Sequence, residues 1–173
     1  EQKYTSALFN LGNLYYDGEG VEQDYNKAVE YYTVGANLNN ADCQFELGFC
    51  YFYGISIERN YETAFLFFKK AADQGHDEAT YYLWKCHIKG YGTKKDEKIA
   101  IDFLKKAVKL HNPEACYRMA KLCQSGKLVE KDEKKALNLI KKSAELGSNR
   151  AQEELGAIYK DGELGVEKSP KKS

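Results

Sequence analysis

The chain has 173 residues, of which 43% are hydrophobic and 13% aromatic, and its 26 basic and 26 acidic residues leave no net charge. This is enough apolar sequence for one continuous core, and no apolar run approaches the roughly 20 residues that a membrane-spanning helix needs. A neutral chain also lacks the overall positive charge that is typical of nucleic-acid-binding proteins.

Several residue types recur every 36 residues along the whole chain. The small or apolar positions that share this spacing are Gly18, Gly54, Gly90, Gly126 and Gly162, then Leu11, Leu47, Leu83, Met119 and Leu155, then Ala28, Ala64, Ala100 and Ala136. A fixed period of this length is typical of a repeat array, in which each unit is one supersecondary element that buries its apolar face against its neighbours.

The first repeat predicts two helices joined by a glycine-containing loop. Apolar residues at helical spacing indicate a first helix that ends at Gly18, since glycine accepts the left-handed conformation at a helix end. Asp24 can cap a second helix by accepting bonds from its free N–H groups. Asn60, Asp96 and Asp132 hold the same position in later repeats.

This plan predicts helices over 4–17, 24–38, 41–53, 60–74, 77–89, 96–110, 113–125, 132–146 and 149–161. They form four helix pairs and a lone ninth helix, whose Glu153, Glu154 and Lys160 are polar enough for an end cap. His76 and His111 follow second helices and are expected in solvent-facing turns. Small residues at Gly12, Gly48, Ala120 and Gly156 should let paired helices approach closely, whereas Trp84 holds that position in the third repeat.

We predict a single repeat domain over residues 1–162, with repeats at 7–42, 43–78, 79–114 and 115–150 and a partial repeat at 151–162. Residues 163–173, with three lysines, are expected to form a loose basic tail. The first residue, Glu1, is not an initiator methionine, so the chain is expected to be cut from a longer protein.

The first repeat resembles the Sel-1-like repeat family, a relative of the tetratricopeptide repeats. The residues that carry the resemblance are Leu11-Gly12, Tyr15, Gly18, Gly20-Val21, Asp24, Lys27-Ala28, Tyr31-Tyr32 and Ala36. Later repeats depart from the pattern at Ser56, Ile57, Trp84, His87, Ala120, Cys123 and Leu128. The resemblance implies an all-α, right-handed superhelix, or solenoid, of antiparallel helix pairs whose first helices line the concave side. It also implies a non-enzymatic adaptor or scaffold that binds a protein or peptide.

No catalytic motif is present, and we expect no cofactor, no metal and no enzyme activity. A few cysteine-rich bacterial members of the family have been associated with β-lactamase-like activity, so a cysteine-containing hydrolase is the first alternative. The cysteines here fall at irregular repeat positions, which weakens the expectation that this chain shares that activity. Adjacent Cys86 and His87 suggest a metal site, but buried thiols are more often small core residues.

Five cysteines are an odd number, and the chain has no Asn-x-Ser/Thr sequon. Cys43 and Cys50 are seven residues apart, as are Cys116 and Cys123. Two helical turns rise about 10 Å, which is too far for a disulfide. These features favour free thiols and an intracellular, cytoplasmic location.

Aromatic residues suggest where a partner would bind. Phe9, Phe45, Tyr81 and Tyr117 recur every 36 residues, and Phe45, Phe49 and Tyr53 share one helical row with Phe52 beside it. We predict that the four aromatic residues of the second repeat form the apolar floor of a binding groove. Asn13 and Tyr16 should flank it on one side, with Lys85 and Lys89 on the other. The alternative is ordinary packing between repeats.

Charge is divided between the two halves of the chain. Residues 7–78 hold 4 basic and 12 acidic residues, a net charge of −8, and residues 79–150 hold 17 basic and 8 acidic residues, a net charge of +9. Lys85, Lys89 and Lys121 should draw the acidic end of a bound peptide toward repeats three and four, opposite Asp17 and Asp42. Weak head-to-tail self-association is an alternative consequence.

Nucleic-acid binding by the basic half is the second alternative function. The half contains only two arginines, Arg118 and Arg150. The many lysines on its second helices are more typical of a solvated face. We therefore expect neither nucleic acid nor membrane as a partner.

Overall fold

The computed structural model describes residues 2–161, and within that range every regular element is an α-helix. The helices are α1 Gln2–Asp17, α2 Tyr25–Asn37, α3 Ala41–Tyr53, α4 Tyr61–Asp73, α5 Asp77–Lys89, α6 Glu97–Lys109, α7 Pro113–Ser125, α8 Glu133–Glu145 and α9 Asn149–Asp161. The predicted all-α array of helix pairs is confirmed, with helix ends within about two residues of those expected from the sequence. The predicted basic tail, 163–173, lies outside the described residues.

The loops after α1, α3, α5 and α7 each contain two left-handed residues. The first is always glycine, as at Gly54 with φ 74°, whose N–H donates to the carbonyl of Cys50 at 2.8 Å. The second left-handed position, two residues later, is occupied by Gly20, Ser56, Gly92 and Leu128 in turn, with φ between 59° and 75°. The departures at Ser56 and Leu128 therefore leave the backbone path of the loop unchanged.

A capping residue fixes the start of each second helix. Asp24 accepts from the backbone N–H groups of Asn26 and Lys27, and Asn60 accepts from Thr63 at 2.8 Å. The backbone N–H of each capping residue also donates to the first helix, as when Asn60 donates to the carbonyl of Tyr51 at 2.9 Å. The predicted caps are confirmed, and they tie the two helices of a pair together.

The core alternates very small residues with large ones. The alanines of the second helices, Ala28, Ala64, Ala100 and Ala136, are completely buried. A Cβ at Gly12 would lie 2.3 Å from the Tyr32 ring, and a Cβ at Gly48 would lie 3.0 Å from the Phe68 ring. The glycines therefore permit the close helix approach predicted for the first two pairs.

The chain divides into two compact units, Glu1–Ala100 (unit 1) and Ile101–Ser173 (unit 2). In unit 1, α1 packs on α2, α2 on α3, α3 on α4 and α4 on α5; in unit 2, α7 packs on α8 and α8 on α9. A single domain over 1–162 stays a prediction. No helix in residues 2–161 combines the length and apolar character that crossing a membrane requires.

Candidate protein-binding surface

One repeated contact organises several of the predicted site residues. Three positions on a first helix, spaced i, i+4 and i+7, share one face. In two repeats these three positions contact a single residue of the next first helix, Tyr82 or Glu154. We call this arrangement the interrepeat socket. The second socket comprises Phe45, Phe49, Phe52 and Tyr82, and the last comprises Tyr117, Lys121, Gln124 and Glu154. Phe9, Asn13, Tyr16 and Glu46 hold the corresponding positions of the first repeat and are called the first socket.

The second socket is entirely aromatic. The Tyr82 ring centroid lies 5.6 Å from that of Phe45, 5.9 Å from that of Phe49 and 5.6 Å from that of Phe52. Phe52 is only 6% exposed, whereas Phe45 and Phe49 are half-buried. Helical spacing within α3 does not predict Tyr82, because it lies on α5. Its position 36 residues after Glu46 was the available signal, since it marks the same position in the next repeat.

The outer end of this cluster is open to solvent. Tyr53 is 48% exposed, its ring lies 4.6 Å from that of Phe49, and its hydroxyl oxygen lies 3.2 Å from that of Tyr82. The Lys85 ammonium lies 4.2 Å from the centroid of the Tyr82 ring and donates to the Tyr53 hydroxyl at 3.4 Å. Phe45, Phe49, Tyr53, Tyr82 and Lys85 together are the aromatic surface.

The first socket carries an acidic residue instead of an aromatic ring. Burial first, and then the charges of Asp17 and Asp42, raise the pKa of the Glu46 carboxyl to about 7. Asn13, another residue of the first socket, accepts a hydrogen bond from the Tyr32 hydroxyl at 2.7 Å. Tyr16 packs edge-on against Tyr25, with ring centroids 5.2 Å apart. Phe9 is half-buried at the edge of the core.

The last socket, in unit 2, holds a fully bonded carboxylate. Glu154 accepts from the Tyr117 hydroxyl at 2.8 Å, from the Lys121 ammonium at 3.0 Å and from the Gln124 amide at 3.2 Å. Burial raises the pKa of Glu154, but these hydrogen bonds outweigh burial and hold it below its ordinary value. Of the three polar residues predicted for an end cap on α9, Glu153 and Lys160 are exposed, whereas the half-buried Glu154 side chain turns back onto α7.

The remaining predicted residues occupy different surroundings. Tyr81 is 9% exposed and stacks on Trp84 with ring centroids 5.2 Å apart, so its ring is largely removed from solvent. Lys89 is exposed near the end of α5. Unit 1 thus gathers the aromatic surface around α3 and α5, while Tyr117 and Lys121 belong to unit 2.

His76 is not in a solvent-facing turn, and that prediction was wrong. Its side chain is 11% exposed, stacks on Phe45 at 4.7 Å, and its Nδ1 accepts from the backbone N–H of Ala79 at 3.3 Å. His76 therefore caps α5, as Asn40, Asn112 and Ser148, at the same repeat position, cap theirs. The 36-residue spacing of these four positions was the signal that could have revealed the cap.

His76, Asp77 and Glu78 bring three potential metal-ligating atoms within 4.8 Å of one another. The Nδ1 lone pair of His76 is already used as the helix cap, and burial raises the pKa of the Glu78 carboxyl to about 7. Both properties weaken the group as a ligand set, because a metal ion needs free lone pairs and deprotonated carboxylates.

The cap makes the stability of α5 depend on pH. Burial lowers the pKa of His76, against the opposing charges of Asp42 and Asp77, and Glu78 lies 3.4 Å from Nδ1. Because the folded pKa is below the ordinary value of 6.5, the unfolded chain binds more protons between the two values. The stability contributed by neutral His76 is therefore present above about pH 6.5 and lost as the pH falls.

We expect His76→Asn to remove this pH dependence while keeping the cap, since Asn40 and Asn112 cap α3 and α7. As the pH is lowered from 7.5 to 5.5, the stability of the variant relative to the wild type should rise by about 1 kcal/mol, the usual contribution of an N-cap. Urea denaturation at the two pH values measures it. A constant difference between variant and wild type would show that His76 is not the responsible group.

All five cysteines, Cys43, Cys50, Cys86, Cys116 and Cys123, are free and buried. Burial is the largest cause of the raised pKa of each thiol, which reaches about 12 at Cys43, Cys50 and Cys86. A protonated, buried thiol is a poor nucleophile and a poor metal ligand. The thiols act as small core residues.

Comparisons with known proteins place these features in a family. A model of the Sel1 repeat matches residues 5–40, 41–76, 78–112, 113–148 and 149–173. The crystal structure of a Sel1 repeat protein from Oxalobacter formigenes matches with a TM-score of 0.88 and 30% identity over 98% of this chain and 68% of that one. No curated protein sequence matches the chain significantly.

Two further structures are similar. The protective antigen c5321 of uropathogenic Escherichia coli, which displays an SLR fold, matches with a TM-score of 0.75 and 28% identity over 96% of this chain and 35% of that one. Cysteine rich protein B of Helicobacter pylori matches with a TM-score of 0.60 and 28% identity over 80% of this chain and 99% of that one. The matches support an all-α helical repeat solenoid, and the chain belongs to the Sel1 repeat family.

Proposed function

We propose that this chain is a non-enzymatic scaffold that binds a protein or peptide segment on the aromatic surface of unit 1. Sel1 repeat proteins are generally protein-interaction scaffolds. The observation that carries the proposal is the solvent-accessible end of the aromatic cluster, where Tyr53 is 48% exposed beside half-buried Phe45 and Phe49. Rigid aromatic side chains supply large contact area at low entropic cost and are enriched at binding hot spots.

The charges around this surface favour one orientation of a bound segment. The Lys85 ammonium lies at one side, and the acidic residues Asp17, Asp42 and Glu46 belong to the repeats before it. Lys121, which we expected to help draw an acidic end, is paired with Glu154 at 3.0 Å. We therefore propose that Lys85 meets the acidic end of the segment. Opposite charges should mainly raise the association rate.

The buried, protonated thiols argue against a cysteine hydrolase, and they support a reducing compartment. Several lysines of the basic half form ion pairs within the chain, such as Lys131 with Glu133 at 2.8 Å and Lys105 with Asp102 at 3.7 Å. Partly neutralised lysines are poor phosphate contacts, so no described feature favours nucleic-acid binding.

Peptides selected from a phage-displayed random library test the proposed surface. Phe49→Ala and Tyr53→Ala should each weaken the binding of the selected peptides by about 2 kcal/mol, which is roughly 30-fold in affinity. Leu66→Ala is the matched control, because Leu66 is 57% exposed on a second helix. Equal affinities for the wild type and the two aromatic variants, with circular dichroism showing intact helices, would remove the aromatic surface as the binding site.

A further inference from the structure

Two sockets of this chain hold a glutamate at the same repeat position, yet only one glutamate is neutralised. Glu46 and Glu154 are 108 residues apart, which is three repeats. Glu154 faces Lys121 and Gln124 and accepts a hydrogen bond from each. The corresponding residues of the first socket are Asn13 and Tyr16, so the first socket has the carboxylate without the ammonium.

The surroundings of Glu46 add to this imbalance. Asp17 and Asp42 both act on its charge, and Glu46 in turn raises the pKa of Tyr16 and Tyr32. Asn13 cannot take the place of the lysine, because it is neutral and its side-chain oxygen accepts from the Tyr32 hydroxyl at 2.7 Å. A half-buried carboxylate is most stable when it is paired and hydrogen-bonded.

We infer that the first socket binds a lysine or arginine side chain of the partner segment. Glu46 supplies the carboxylate, and the cation of the partner segment takes the position that Lys121 has beside Glu154. This inference rests on the proposed function, since Glu46 follows Phe45 directly and lies about one turn before Phe49 on α3. The partner segment therefore has a basic residue beside the apolar residues that contact the aromatic surface. Charge complementarity is the reason for a cation, because residues 7–78 carry a net charge of −8.

A cycle of protein and peptide variants tests the inference. The probes are library-selected peptides that contain lysine and the same peptides with that lysine replaced by norleucine, which keeps the apolar stem. Glu46→Gln should weaken the lysine peptide about tenfold and leave the norleucine peptide nearly unchanged, as expected for loss of a charge-assisted hydrogen bond. Glu154→Gln is the matched control and should change neither affinity.

A second variant places the missing ammonium in the chain itself. Asn13→Lys copies Lys121 and should weaken the lysine peptide to about the affinity of the norleucine peptide, because the socket is then occupied. If this variant does not fold, Glu46→Gln alone decides. The lysine peptide should also bind more tightly at pH 8 than at pH 6. A cation binds the ionised carboxylate, and with a pKa of about 7 the Glu46 carboxyl is largely protonated at pH 6.

The outcomes separate the two proposals. If selected peptides depend on Phe49 and Tyr53 but are indifferent to Glu46→Gln, the cation socket is wrong and the aromatic surface stands. If no selected peptide depends on Phe49 or Tyr53, the aromatic surface is wrong, and the socket falls with it. Selected peptides that depend on Phe49 and Tyr53 but contain no basic residue would also overturn the socket.

Discussion

Alanine at position 92 should cost far more stability than alanine at position 20, although the two glycines hold the same place in their repeats. Both are left-handed, with φ 64° at Gly92 and φ 75° at Gly20. A Cβ at Gly92 would lie 2.0 Å from the carbonyl oxygen of Tyr61 and 2.8 Å from the backbone nitrogen of Glu62, whereas a Cβ at Gly20 would meet nothing within 4 Å.

The two variants separate backbone conformation from space. Gly20→Ala should lose about 1 kcal/mol, the cost of a left-handed non-glycine residue. Gly92→Ala should lose that amount and a further 1–3 kcal/mol or more, because the start of α4 must move away. Urea denaturation of both variants measures the two losses. Similar losses would mean that the loop before α6 can shift freely from Tyr61.

Truncation of Phe68 should be among the most damaging changes in unit 1. Its side chain is completely buried, and its ring lies 4.8 Å from that of Tyr82 and 5.9 Å from those of Phe45 and Phe52. Phe68→Ala should cost about 3–5 kcal/mol of unfolding free energy, the usual range for a buried phenylalanine.

Leu66→Ala, on the same helix, is the stability control and should change unfolding free energy by about 0.5 kcal/mol or less, because Leu66 is 57% exposed. Phe68 supports the aromatic surface from beneath. The Phe68→Ala substitution should therefore also weaken peptide binding at temperatures where the variant is still helical. A loss below about 1 kcal/mol for Phe68→Ala would mean that the core beneath Tyr82 repacks around the gap.

The sequence predicted the elements of the fold almost completely, because the 36-residue period is local information repeated. Asp24 and Asn60 cap helices within a few residues of themselves, and Gly54 ends its own helix. Such features depend on backbone hydrogen bonds over short separations, which residue type alone indicates. The same period could also have identified His76 as a cap, because Asn40, Asn112 and Ser148 hold the same repeat position.

The candidate site was less predictable, because its contacts join residues about 30 to 37 positions apart. The row of Phe45, Phe49 and Tyr53 follows from helical spacing alone, but Tyr82 reaches it from another helix. Nothing in the local sequence around Glu154 shows that it turns toward Lys121. Side-chain direction between helices depends on packing, which only the folded structure specifies.

The order in which the helices pack in unit 1 also bears on how the chain folds. Each helix contacts the one before or after it in the sequence, and α1 also meets α3. Contacts between chain neighbours need little loop closure, so the search for the native state should be short and folding fast, in the range of microseconds to milliseconds that is typical of helical proteins. During synthesis, α1 and α2 can pair as soon as both have left the ribosome, and each later helix then adds to an existing surface.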